Sequence, residues 1–168
     1  MIYKGDSEAG AVFSFCEKYR YRLWRSWGIG SRALFVMLNP STATELALDP
    51  TVSKCVRYAK AWGFSGLEVV NIFAYRSTDP ANMKRQDAPI GVNNDNVIVD
   101  VARSVDDCGG QVICAWGQHG LHQGRGNRVR NILIEAGISA YFLRMGANNQ
   151  PWHPLYLPGN LTPIAWEF

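Results

Sequence analysis

Between residues 11 and 27 aromatic or aliphatic side chains alternate with polar ones, in the string Ala11-Val12-Phe13-Ser14-Phe15 and again from Tyr19 to Trp27. A period of two puts alternate side chains on opposite faces of a strand, so this segment predicts an N-terminal antiparallel hairpin or edge strands. The pattern then changes. Residues 33–38 are apolar without interruption, as expected of a strand covered by helices on both faces. Asn39-Pro40 ends it.

Asp49-Pro50-Thr51 offers a helix start with Asp49 as cap, and Val52, Cys55, Val56, Ala59 and Trp62 recur at helical spacing until Gly63 stops the run. Residues 67–73 predict a second buried strand. The loop 77–93 leads to a second helix over 97–105, followed by a third strand at 111–116, a third helix at 127–136 and a fourth strand at 140–143. Strands that alternate with helices imply a parallel sheet with right-handed crossovers. The expected fold is α/β: three layers, α/β/α, around a central, mostly parallel four-stranded sheet.

The length of 168 residues suits one domain spanning 1–168, and 47% hydrophobic content is ample for one core. No apolar run approaches the roughly 20 residues of a membrane span, and residues 1–10 carry Lys4, Asp6 and Glu8 rather than a secretory core. A soluble, cytoplasmic monomer is expected. Cys16, Cys55, Cys108 and Cys114 form no CxxC pair, so neither a metal nor another cofactor is expected. A net charge of +3 permits a polyanionic partner without requiring one. Arg20, Arg22, Arg25 and Arg32 cluster early, and Arg125, Arg128 and Arg130 cluster late. These are either solvated arginines or phosphate contacts.

In open α/β sheets ligands bind beyond the carboxyl ends of the strands. That rule selects Asn39-Pro40-Ser41, Asn71-Ile72-Phe73, Gly117-Gln118-His119 and the loop 144–153. Carboxylates are scarce there, and Asp49 and Asp79 both precede prolines, which fits capping or turn duty. No Gly-rich phosphate loop follows the first strands, which disfavours nucleoside triphosphate hydrolysis and hydride transfer.

Met37-Leu38-Asn39-Pro40-Ser41 after a buried strand resembles the Gly-x-Asn-Pro-Gly motif of the mismatch-specific and single-strand-selective branches of the uracil-DNA glycosylase superfamily. His153-Pro154-Leu155-Tyr156-Leu157 resembles that superfamily's His-Pro-Ser-Pro motif and the intercalating loop after it. Val69-Val70-Asn71 is similar to the strand whose terminal asparagine reads the base, and Ile113-Cys114-Ala115-Trp116-Gly117 to the apolar strand end between them. The chain as a whole is similar to an uncharacterised bacterial and phage family, domain of unknown function 1643, which shares the strings around Asn39 and His153.

The resemblance implies an enzyme that cleaves the N-glycosidic bond of uracil or a modified pyrimidine in single- or double-stranded DNA, in repair or in defence against phage. Asn39 would hold the attacking water and His153 would donate to the departing base. Asn71, with Pro40 and Ser41, would bind that base, and Phe73, Tyr75 or Tyr58 would stack on it. Leu155, Tyr156 and Leu157 would fill the duplex gap, while Gly117, His119 and Arg125 would lie along the DNA. Two departures stand out: Ser41 replaces the usual glycine, and the segment from Thr42 to Asp49 is longer than the glycosylase loop. Asn148, Asn149 and Gln150 are placed to reach a larger base. Two other readings stay open: a non-catalytic nucleic-acid or nucleotide-binding module, and a hydrolase of free modified nucleosides or nucleotides.

Overall fold

The computed structural model describes residues 1–42 and 49–167, so most of the long segment after Thr42 lies outside the described residues. The described residues form one mixed sheet of eight strands in the order β1-β2-β3-β5-β4-β6-β7-β8. The strands are β1 (Ile2–Gly5), β2 (Ala9–Phe13), β3 (Arg20–Ser26), β4 (Arg32–Met37), β5 (Gly66–Asn71), β6 (Gln111–Cys114), β7 (Ala140–Phe142) and β8 (Ile164–Ala165). Four parallel strands, β5-β4-β6-β7, form its centre. Antiparallel strands extend it on both sides. The expected sheet of four strands is therefore the middle of a larger one, and the N-terminal hairpin joins it through β3 and β5. Neither β1 nor β8 announces itself in the sequence. Both are short outer strands, held by pairing with a neighbour more than by a pattern of their own.

The helices are α1 (Pro50–Ala61), α2 (Pro80–Lys84), α3 (Asn94–Asp107) and α4 (Arg125–Glu135). The Asp49 side chain caps α1 by accepting from Val52 N at 2.7 Å, and Asp79 caps α2, a short helix inside the expected loop 77–93. Two cores lie on opposite faces of the sheet. Phe35, Val69 and Ile113 pack with Val52, Cys55 and Ala59 of α1; Leu34, Val70 and Val112 pack with Ile98 and Val101 of α3 and Leu133 of α4. The uninterrupted apolar runs of β4 and β5 follow from this double burial. Glu68, only 2% exposed, accepts both Arg22 and Arg32, which neutralises the one charge inside the β5 run.

The C-terminal segment runs back over α1. Lys54 Nζ donates to the carbonyls of Leu155 and Leu157, Tyr58 OH to that of Pro158, and Trp62 Nε1 to that of Leu161. This clasp brings the 153–157 loop beside the helix that follows Asn39.

Candidate functional site

Asn39 lies two residues beyond β4. Its Nδ2 donates to the carbonyls of Ser77 at 2.8 Å and Pro40 at 3.2 Å. Only the NH2 end of an amide can face two carbonyl oxygens, so the side chain is fixed with Oδ1 as its remaining acceptor. Ser77 N reaches Pro40 O at 2.8 Å and braces the same turn from the loop between β5 and α2.

Asn71 closes β5, two residues after Val69, and so shares the α1 face with Val69 and Leu67. Its backbone carbonyl is held at 2.8 Å by Asn94 Nδ2. Although the residue is only 2% exposed, its side-chain amide makes no hydrogen bond among the described residues. A buried amide ordinarily finds a partner. Here it lines a cleft.

His153 precedes a short turn, Pro154–Tyr156, and its Nδ1 accepts from Leu155 N at 3.3 Å. An accepting Nδ1 carries no proton, so in the neutral ring the proton sits on Nε2. Burial lowers the pKa of His153 to about 4, with smaller contributions from Asp49, which raises it, and from His119 and Lys54, which lower it. The ring is thus a neutral Nε2–H donor at pH 7. Opposite it, Gly117 has φ of +75°, and a Cβ there would sit 3.4 Å from that of His153. That distance is ordinary contact, so it is the backbone angle that favours glycine.

These side chains line one cleft of about 460 Å³ at the carboxyl ends of the parallel strands, within the size range of small-ligand sites. Asn39, Ser41, Asn71, Gly117, His119, His153, Leu155 and Tyr156 are all on its wall. Other expected contacts are not, Leu157 among them, which is buried in the α1-side core. Pro40 is buried behind the wall and acts through its carbonyl. Phe73 lies in the α3–α4 core with its ring 5.6 Å from that of His122. Arg125, expected along DNA, is 2% exposed and donates to Ile72 O and Asp95. It anchors the exit of β5.

Neither Tyr58 nor Tyr75 reaches the cleft; its aromatics besides His119 and His153 are Trp116, Trp152 and Tyr156. Gln150, placed in the sequence as a reach toward the base, is instead buried against Trp116 Nε1 at 2.8 Å. Asp49 and Arg20 are the wall residues whose importance sequence reasoning missed. Asp49 carries a second bond besides its cap: Ser41 Oγ donates to its Oδ2 at 2.7 Å. Ser41, in the glycine position of the resembled motif, thereby ties the turn to α1. His119 Nδ1 meets Lys84 Nζ at 2.8 Å; since an ammonium only donates, that nitrogen accepts, and burial followed by Lys84 lowers its pKa.

The sequence profile of DUF1643, a family of proteins of unknown function, matches residues 20–155. The chain belongs to the DUF1643 family. No curated protein and no solved structure matches it. The matched span of this DUF1643 chain includes Arg20, Asn39, Asn71 and His153, while Tyr156 falls just beyond it. Among the described residues of the DUF1643 chain no three His, Cys, Asp or Glu side chains gather as a metal site, and no helix is long and apolar enough to cross a membrane.

Proposed function

We propose that this cleft hydrolyses the N-glycosidic bond of uracil or a modified pyrimidine in DNA. The observation that carries the reading is the convergence of three side chains, Asn39, Asn71 and His153, on one cleft. Asn39 and His153 are each fixed at one end by the protein and open at the other. The block β5-β4-β6-β7 is read as the uracil-DNA glycosylase-like core.

In this reaction water adds its hydroxyl to C1′ of the sugar. The C1′–N bond breaks with its electron pair on the base, and the second proton of the water ends on the base. Asn39 Oδ1 accepts from the water and sets its position. An amide is no general base at neutral pH, which suffices where the sugar is already cationic. His153 Nε2–H donates to a base carbonyl as charge gathers there, and a donor aimed at developing charge is worth several kcal/mol. Asn71 offers Oδ1 to a ring N–H and Nδ2 to a carbonyl, a pattern that accepts uracil and thymine-like bases and rejects cytosine.

DNA is the favoured form of substrate because Leu155 and Tyr156, 39% and 74% exposed, stand at the rim of the cleft. Apolar side chains so placed can occupy the space of an extruded nucleotide. The test uses single- and double-stranded oligonucleotides bearing uracil, hydroxymethyluracil or glucosylated bases, cleaved with alkali after incubation. Strand scission that disappears in both Asn39→Ala and His153→Ala supports the proposal. Scission with no base, or release from free nucleosides alone, overturns it.

A further inference from the structure

Arg20 is 3% exposed and lines the cleft. Its Nε is buried without a hydrogen-bond partner, and its other guanidinium nitrogens make no hydrogen bond or ion pair among the described residues. Burying a charge without an ion pair is strongly unfavourable. Among the described residues nothing meets this charge, which leaves it open to a bound group in the cleft.

The strand is built to aim it. Partners across an antiparallel pair share a face. Ala11 faces Leu23, and both belong to the α1-side core. One extra residue in β3 then shifts the register, so that Phe13, of the same core, faces Arg20. Strict alternation from Leu23 would have put Tyr21 on that side and turned Arg20 to the α3 side; the bulge reverses this.

Among the described residues the charges acting on Arg20 are mostly positive. Arg76 and Arg25 act unfavourably on it, and Asp49 favourably. Yet the two carboxylate oxygens of Asp49 already accept Val52 N and Ser41 Oγ. Burial lowers the Arg20 pKa to about 10, which keeps the group charged at neutral pH.

We infer that Arg20 forms an oxyanion subsite of the cleft, so that the bound ligand carries a phosphate or carboxylate beside its base. A guanidinium presents paired donors that match such a group bidentately, and it has no acceptor with which to read a neutral base edge. Two sources supply this chemistry: the phosphate of the nucleotide, or an acidic substituent on a modified pyrimidine. The choice of pyrimidine ligands rests on the proposed function; the subsite itself does not.

The experiment measures binding of the full chain, without turnover, to two pairs of probes: dUMP against deoxyuridine, and 5-carboxyuracil against uracil. In at least one pair the anionic member should bind about tenfold tighter or more, the effect of a charge-assisted hydrogen bond. Arg20→Gln should abolish that preference and Arg20→Lys should keep part of it. Arg128→Gln, the same charge change at an exposed site on α4, should leave it intact. A preference in the first pair assigns the subsite to the nucleotide phosphate, and in the second to the base. Equal binding within both pairs, or a preference unchanged in Arg20→Gln, overturns the inference. Because Gln removes an uncompensated buried charge, Arg20→Gln should melt no lower than the wild type; a lower midpoint with unchanged binding would make Arg20 a residue of the fold. An Arg20-dependent preference in a protein that releases no base would sink the glycosidase reading and leave the subsite standing.

Discussion

Arg125 and Arg20 stand on opposite sides of the exit of β5, and both are almost wholly buried. Arg125, toward α3 and α4, gives Nε to Ile72 O at 2.7 Å and pairs with Asp95. Arg20, toward α1, has its backbone N–H on Ala74 O and gives its guanidinium to no described residue. The same contrast holds for the asparagines. Asn94 spends its amide N–H groups on the carbonyls of Asn71 and Ile72, whereas the Asn71 amide meets only the cleft. On one side of the sheet the donors of these side chains complete the backbone; on the other they are positioned at the cleft and left open. Burial alone therefore does not mark a working residue. Burial with an end open to the cleft does: Asn94 Oδ1 is also buried without a partner, but Asn94 lies outside the cleft.

The largest effect expected from that contrast is on turnover. Asn39→Ala and His153→Ala should each lower the rate of base release by about 100- to 1000-fold, as loss of one preorganised hydrogen bond does elsewhere. Steady-state assays on a uracil-bearing oligonucleotide, or on whichever modified base is cleaved, measure it. Arg125→Met should act on the fold instead. It removes the charged one of two donors to Ile72 O, Asn94 Nδ2 remaining, for about 2 kcal/mol and about 6 °C of melting temperature, read by thermal unfolding, with the anion preference of the cleft unchanged. Asp49→Ala should be milder in stability, about 1 kcal/mol for a lost helix cap, measured by urea unfolding.

The smallest expected change is in pH dependence. With its pKa lowered to about 4, His153 stays a neutral donor, so the rate should show no inflection from this residue between about pH 5.5 and 8; an inflection near the ordinary histidine value that vanishes in His153→Gln would contradict the assigned state. Stability runs the other way. As pH falls below the unfolded value of 6.5 the unfolded chain takes up the proton first, so the contribution of His153 is full above that value and is lost as pH falls toward about 4. Wild type and His153→Gln should diverge in melting temperature over that window.

Much of the central fold was legible because doubly buried strands and amphipathic helices write their periods directly. The runs at 33–38 and 67–73 and the stripe from Val52 to Trp62 fall on β4, β5 and α1. Short outer strands carry too few residues to show a period, which hides β1 and β8. Within the site, the strand-end rule reached Asn39, Asn71, Gly117 and His153. It failed for Phe73, which packs on the far face, and Arg125, expected along DNA from the resemblance, is turned by helix phase to the same side. Arg20 was visible only as one of a cluster of four, since its aim depends on a single-residue bulge that no local pattern displays.

The central claim is that the cleft separates a pyrimidine from its sugar, and its most direct test is mass spectrometry of the products of one reaction, counting free base against abasic sites. The account predicts the intact base and the abasic strand in equal amounts, both absent with Asn39→Ala. A base altered while still attached to its sugar, or no free base from any uracil-containing or modified DNA, would contradict it.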